Sequence, residues 1–207
     1  MLRVSIDAAA PDPAVLRLAA DLIARGGVIA FPTDTFYGLA VDPRRVEAVG
    51  ALYLIKGRET GQPIALVAAS QAQVDACVGR LPELGRRLAR RFWPGPLTLV
   101  IAATPELAAA LHSPSGCVAV RVPAHPIASA LPALAGYALT ATSANRSGEP
   151  APRTADEVVV GLGGAIDLLL DAGPAPGGLP STLVDVTGQA PVLVRAGAIP
   201  WERVLES

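Results

Sequence analysis

The sequence predicts an α/β (α+β) domain with a twisted mixed β-sheet flanked by helices, and three observations carry that prediction. Segments whose apolar residues recur at helical spacing alternate with short apolar runs bounded by glycine and proline. Hydrophobic residues fill 51% of the 207 positions and charged residues 17%, the composition of a globule able to bury roughly 70% of its unfolded surface. The Pro/Gly-rich stretches 147–152 and 173–180 are too short to separate domains, so residues 1–207 read as one domain without a linker.

Taken in order, Asp12 and Pro13 supply an N-cap and a first-turn proline. Val15, Leu18, Ala19, Leu22 and Ile23 then follow helical spacing until Gly26-Gly27 ends the helix. Residues 28–31 (VIAF) form a short buried strand stopped by Pro32. The pattern repeats with a helix over Val46–Ile55, a strand over Ile64–Ala68 and a helix opening at Ser70. An arginine-rich helix runs from Pro82 to Trp93, followed by strands LTLVI from Leu97 and VAVRV from Val118. The helix HPIASALPALA and the strand YALTAT come next. LLLDAG, STLVDVT and PVLVRAG make the C-terminal part strand-rich.

Several function classes are excluded by what is missing. A net charge of −1 predicts no overall attraction to nucleic acid or membrane, so only local patches count. Cys77 and Cys117 have no CxxC partner or neighbouring histidine, which argues against zinc and against a disulfide framework. No protein-bound metal is expected. The start, MLRVSIDAAAPDP, lacks a basic segment followed by an apolar run, so the expected location is cytoplasmic. Uncharged windows such as PLTLVIAA fall far short of the ~20 residues that cross a bilayer, and no membrane association is expected. There is no GxxxxGK[ST], GxSxG or HExxH, and GLGGAI at Gly161 is an incomplete dinucleotide fingerprint. A bound nucleotide must therefore be held by another device. His112 and His125 read as surface or loop residues.

Six segments carry groups suited to a small polar or anionic ligand. FPTDTFYGLAVDP (31–43) joins a buried strand to a loop rich in hydroxyls, with Thr33, Asp34, Thr35 and Tyr37 as donors and acceptors; an elaborate turn explains it equally. In KGRETGQP, Lys56 and Arg58 project to one side if the segment is extended, a pair able to clamp a polyphosphate, or else a solvated helix end. Arg121 and Arg195 each occupy a strand otherwise built for burial, where an arginine is costly without an anion; a salt bridge or a ligand satisfies the requirement. Ser143 and Asn145 follow a strand end in ATSANRSGEPAP and read either as ligand contacts or as a plain turn. Ser181 and Thr182 in STLVD are the least specific.

Together and in order, FPTDTFYGLAVDP, Lys56-x-Arg58, FWPGPLTLVI, VAVRVP, Ser143-x-Asn145 and VRAGAI resemble the YrdC family of threonylcarbamoyl-adenylate synthases from about Ala14 to Ile199. The resemblance implies a concave, positively charged cleft on a YrdC-like mixed sheet, with ATP and L-threonine side by side and bicarbonate as co-substrate. By position it implies ATP contacts at Arg58, Gln62, Cys117, Ser143, Ala151 and Arg195, and threonine contacts at Thr33, Val67, Arg121, Ala141 and Ser181; the chemistry of the residues adds Lys56 and Asn145 to the expected ATP contacts and Tyr37 to the expected threonine contacts. On the chemistry of these side chains, Lys56, Arg58, Ser143 and Asn145 are the expected catalytic residues. Val67 and Ala151 depart from the commoner family residues, so contacts there are expected to be weaker, backbone-mediated or absent. The chain resembles the family's short form.

The expected chemistry needs orientation and cations more than a strong base: a carbamate formed from threonine and bicarbonate attacks the α-phosphate of ATP. Magnesium is expected to travel with ATP, and the product to pass to a separate tRNA threonylcarbamoyl-transferase complex. Two alternatives remain. Arg86, Arg87, Arg90 and Arg91 beside Phe92 and Trp93 form a stripe that a non-catalytic RNA-binding module uses, and direct tRNA binding stays open with it. The other alternative is a carbamoyl-transfer domain related to hydrogenase maturation.

Overall fold

A computed structural model describes residues 1–58 and 64–206. Along the chain run β1 (Leu2–Ser5), α1 (Pro13–Ala24), β2 (Ile29–Phe31), β3 (Gly38–Ala40), α2 (Val46–Lys56) and β4 (Leu66–Val67). Next come α3 (Gln71–Cys77), α4 (Glu83–Phe92), β5 (Leu97–Ala102), α5 (Pro105–Ala110), β6 (Cys117–Arg121) and α6 (Pro126–Ala135). The C-terminal part holds β7 (Leu139–Thr140), β8 (Thr142–Ser143), α7 (Ala155–Leu162), β9 (Leu168–Asp171), β10 (Thr182–Asp185), β11 (Val192–Arg195) and α8 (Trp201–Leu205). The mixed α/β class holds, with the strands divided between two sheets.

Local chemistry sets the helix ends. Asp12 accepts from the Ala14 amide at the start of α1, and Ser70 accepts from the Gln73 amide at the start of α3. Gly57, at φ 57°, takes the left-handed position that ends α2. The short α5 and α7, which the sequence pattern did not reveal, open on Thr104 and Thr154, whose side chains accept from Leu107 and Glu157. His125 is not a plain loop residue: it caps α6, its Nδ1 accepting from the Ile127 amide at 3.3 Å.

The five-stranded sheet has the order β1-β9-β2-β3-β8, and the six-stranded sheet the order β11-β10-β5-β6-β4-β7. In the first, β1, β9 and β2 run parallel, and β3 and β8 join antiparallel. Its inner strands are apolar on both faces because both are covered. Ala30, Leu39 and Leu169 enter one core cluster with Leu66, Leu97 and Leu99 of the second sheet. Ile29, Phe31, Leu168 and Leu170 enter another with Leu16, Ala19 and Ile23 of α1 and Ile127 and Leu131 of α6.

Two segments differ from the sequence expectation. YALTAT is divided: residues 139–140 pair with β4 in the six-stranded sheet, while residues 142–143 pair with β3 in the five-stranded one. Ala141 lies at the crossing, its amide donating to the Ala65 carbonyl at 2.7 Å. PVLVRAG is not built for burial. β11 pairs with β10 along one edge only, and Val192 and Val194 are 60% and 55% exposed. The VLVR alternation looks the same on an edge strand as on a central one.

Candidate functional site

A cavity of about 790 Å³ draws its lining from both sheets. Gly38 and Ser143 come from β3 and β8; Leu66 and Val67, Thr98, Ala119 and Arg121, Leu183 and Arg195 come from β4, β5, β6, β10 and β11. The loops supply Thr33, Arg58, Asn145 and Ser181. Among the described residues, its charged lining residues are Lys56, Arg58, Arg121, Arg195 and Glu149. Segments far apart in sequence thus bring their cations to one space.

The buried Arg121 faces away from the core because Val118, Val120 and Val122 take the opposite face of β6. Its Nε donates to the Gly95 carbonyl at 2.9 Å and its Nη2 pairs with the Asp34 carboxylate. Burial pulls the guanidinium pKa below the ordinary arginine value, and Asp34 opposes that shift. Asp34 is therefore the internal anion that a buried arginine in an apolar strand requires. Arg195 donates from Nη2 to the Ser181 carbonyl at 3.0 Å and to the Ser181 hydroxyl at 3.3 Å. Burial, then the nearby Arg121, lowers its pKa.

Lys56 is the last residue of α2, so the extended-chain geometry expected for Lys56 and Arg58 does not apply. Only 4% exposed, Lys56 donates from Nζ to the Ser143 carbonyl at 2.6 Å and the Asn145 carbonyl at 2.8 Å. The Lys56 carbonyl in turn accepts from the Ser147 amide at 2.8 Å. The loop after β8 is thus wrapped around this side chain. Burial, with a further contribution from Arg58, lowers its pKa to about 8. Arg58 lies just past the Gly57 turn and lines the same cavity. Asn145 belongs to the loop's own framework, its Nδ2 donating to the Glu149 carbonyl at 2.5 Å.

In the 31–43 loop the Thr33 hydroxyl donates to the Phe36 carbonyl at 2.7 Å and accepts from the Thr35 amide at 3.1 Å. Tyr37 lines the cavity, but its phenol fixes a turn instead of offering a donor there. The hydroxyl donates to the Gly173 carbonyl at 2.7 Å and accepts from the Ala172 amide at 3.2 Å.

The Sua5/YciO/YrdC family model, described as telomere recombination, matches residues 21–197. The chain belongs to this family. A threonylcarbamoyl-AMP synthase of Pyrococcus abyssi is 39% identical over 91% of the chain, which spans 56% of that relative's length. A putative threonylcarbamoyl-AMP synthase of Mycobacterium tuberculosis is 38% identical, with 89% of the chain and 84% of the relative covered. A solved structure of P. abyssi Sua5 complexed with L-threonine matches at a TM-score of 0.93 and 35% identity, covering 100% of this chain and 60% of that one.

Of the expected contact positions, Thr33, Tyr37, Lys56, Arg58, Arg121, Ala141, Ser143, Asn145, Ser181 and Arg195 all line the cavity, as do Val67 and Ala151. Cys117 does not. It opens β6 two pleats before Arg121, where its carbonyl accepts from the Ser113 hydroxyl at 2.6 Å. Gln62 lies outside the described residues. Sequence reasoning missed Thr98, Pro123, Ser147 and Glu149 among the lining residues. Thr98 had a readable signal, a lone hydroxyl in the apolar run LTLVI; Glu149 had none. Among the described residues, no cluster of three or more His, Cys, Asp and Glu is arranged to hold a metal, and no helix is long and apolar enough to cross a membrane.

Proposed function

We propose that residues 1–207 act as one YrdC-like domain that makes threonylcarbamoyl-AMP and pyrophosphate from L-threonine, bicarbonate and ATP. The observation that carries this reading is the gathering of Arg58, Arg121, Arg195 and Lys56 around one cavity whose wall includes Ser143, Asn145 and Ser181. Among the described residues, four lining cations against the one lining carboxylate of Glu149 suit a triphosphate and an amino-acid carboxylate. The names carried by the P. abyssi and M. tuberculosis relatives, and the threonine in the Sua5 complex, support the choice of substrates.

The threonine amine adds to bicarbonate with loss of water to give a carbamate. A carbamate oxygen then attacks the α-phosphorus, forming one P–O bond while the α–β bridging P–O bond breaks, and pyrophosphate leaves with the bridging oxygen. Arg58 and Arg195 stabilise the charge accumulating on the phosphates, Arg121 receives the amino-acid carboxylate, and Ser143 with Asn145 orients the nucleotide. Magnesium enters as part of the ATP substrate. The labile adenylate is consumed by a separate tRNA threonylcarbamoyl-transferase in the cytoplasm.

A non-catalytic RNA module finds less support. In the α4 stripe, Arg86 pairs with Asp75, Arg90 with Glu83 and Arg91 with Glu206, which neutralises much of the patch. The deciding experiment incubates the protein with ATP, threonine and labelled bicarbonate and weighs the products. Label in a threonylcarbamoyl adenylate, dependent on threonine, is the expected result. Folded protein that yields none overturns the proposal; label entering from carbamoyl phosphate instead points to the carbamoyl-transfer alternative.

A further inference from the structure

Thr98 is a buried hydroxyl, 5% exposed, in the middle of an apolar strand, and nothing above gives it a task. Its neighbours Leu97 and Leu99 enter the core, whereas Thr98 lines the cavity. Its Oγ1 lies 2.7 Å from the hydroxyl of Ser181, which sits at the entry to the adjacent parallel strand β10 and is 8% exposed. The Ser181 hydroxyl also accepts from Arg195 Nη2 at 3.3 Å.

Counting protons gives this pair a direction. Two hydroxyls carry two hydrogens, and one of them bridges the oxygens. Whichever oxygen donates in the bridge, one hydroxyl hydrogen remains, and both side chains line the cavity. Arg121 and Arg195 are close enough for Arg121 to lower the Arg195 pKa. A hydroxyl donor in the neighbourhood of two guanidinium groups suits a single anionic oxygen pair, such as a carboxylate.

We propose that Thr98 is a positioning residue for the amino-acid half of the cavity: it fixes the Ser181 hydroxyl so that the pair presents one O–H to the carboxylate received by Arg121. This rests on the proposed synthase reading and adds a residue to it. The nucleotide half is affected less, because the shorter of the two Arg195 bonds goes to the Ser181 backbone carbonyl and survives loss of the Thr98 hydroxyl.

The test uses the full chain and measures L-threonine and ATP affinities separately for wild type, Thr98→Val, Thr98→Ser, Ser181→Ala and the Thr98→Val/Ser181→Ala pair, each checked by thermal melting. One neutral hydrogen bond corresponds to about a fivefold change in affinity. Thr98→Val is expected to weaken threonine binding by about fivefold or more while ATP affinity stays within about twofold. Thr98→Ser, which restores the hydroxyl, is expected to return threonine affinity to within about twofold of wild type, and the double variant to lose little beyond Ser181→Ala. Unchanged threonine affinity in Thr98→Val, an equal loss for ATP, or a Thr98→Ser variant as weak as the valine overturns the inference alone. Wild-type protein that binds no threonine overturns the synthase reading and this inference with it.

Discussion

Lys56 offers a test of whether the cavity receives a polyphosphate, because its proton equilibrium reports the charge placed beside it. Burial, reinforced by Arg58, has moved the ammonium from 10.5 to about 8, worth about 3 kcal/mol in favour of the neutral amine. Since the folded value lies below the unfolded one, the unfolded chain keeps a proton that the native protein releases as pH rises from about 8 to 10.5. Native stability therefore gains over that interval, and the burial cost is fully present below pH 8.

An anionic chain of phosphates in the same cavity reverses the shift. If it restores the ordinary value, the free protein at pH 9 holds about 0.1 proton on Lys56 and the complex about 1, so binding takes up about 0.9 proton. Affinity falls as pH rises, approaching tenfold per unit between about 8 and 10. The assay is calorimetric titration of ATP or inorganic tripolyphosphate at pH 7 and 9 in buffers of unlike ionisation enthalpy, with Lys56→Met as reference. Uptake in wild type at pH 9 that disappears at pH 7 and in the variant is expected. Equal uptake in wild type and Lys56→Met, or none in wild type at pH 9, refutes the placement of phosphates near this side chain.

Arg121→Ala is expected to abolish measurable threonine binding and, by leaving the Asp34 carboxylate without its cation, to lower stability by about 3–5 kcal/mol; adding Asp34→Asn recovers stability in a denaturant titration but not threonine affinity. Arg58→Ala should slow threonine- and bicarbonate-dependent pyrophosphate release by about 30-fold or more, read by a coupled phosphate assay, with retained full rate as the contrary result. At Gly197 an added Cβ would run into the backbone of residues 180–182, so Gly197→Ala should lower the melting temperature, by an overpacking cost of about 1–3 kcal/mol, and weaken threonine binding through displaced Ser181. Arg87→Glu/Arg90→Glu is expected to leave pyrophosphate release within about twofold in the absence of RNA, since neither residue lines the cavity and exposed surface charges are screened.

The sequence was most informative where local chemistry and periodicity agreed. Asp12-Pro13 and Gly26-Gly27 bracket α1 by capping and by backbone freedom, and both signals are local. VIAF and LLLD read as buried strands because the sheet that holds them is covered on both faces. Thr154 and Glu157 carried a helix-opening signature that the following glycines obscured. YALTAT shows the limit of pattern reading: each half is extended, and extension says nothing about which sheet a residue joins. At the site, Arg121 announced the need for an anion, but Asp34 could not be chosen from the other acids without the fold. The convergence of cations was legible only through the ordered motifs, whereas the wrapping of the 143–147 loop around Lys56 depends on backbone carbonyls that no side-chain pattern encodes.

The crossing at Ala141 makes a single run of extended backbone a member of two sheets within two residues. Sheets that merely pack face to face can slip; these share a stitch. Tilting one against the other would pull on the ladder bonds that residues 139–140 and 142–143 make to different sheets and on the Ala141 amide bond to Ala65. The base of the site is therefore anchored in both ladders at once.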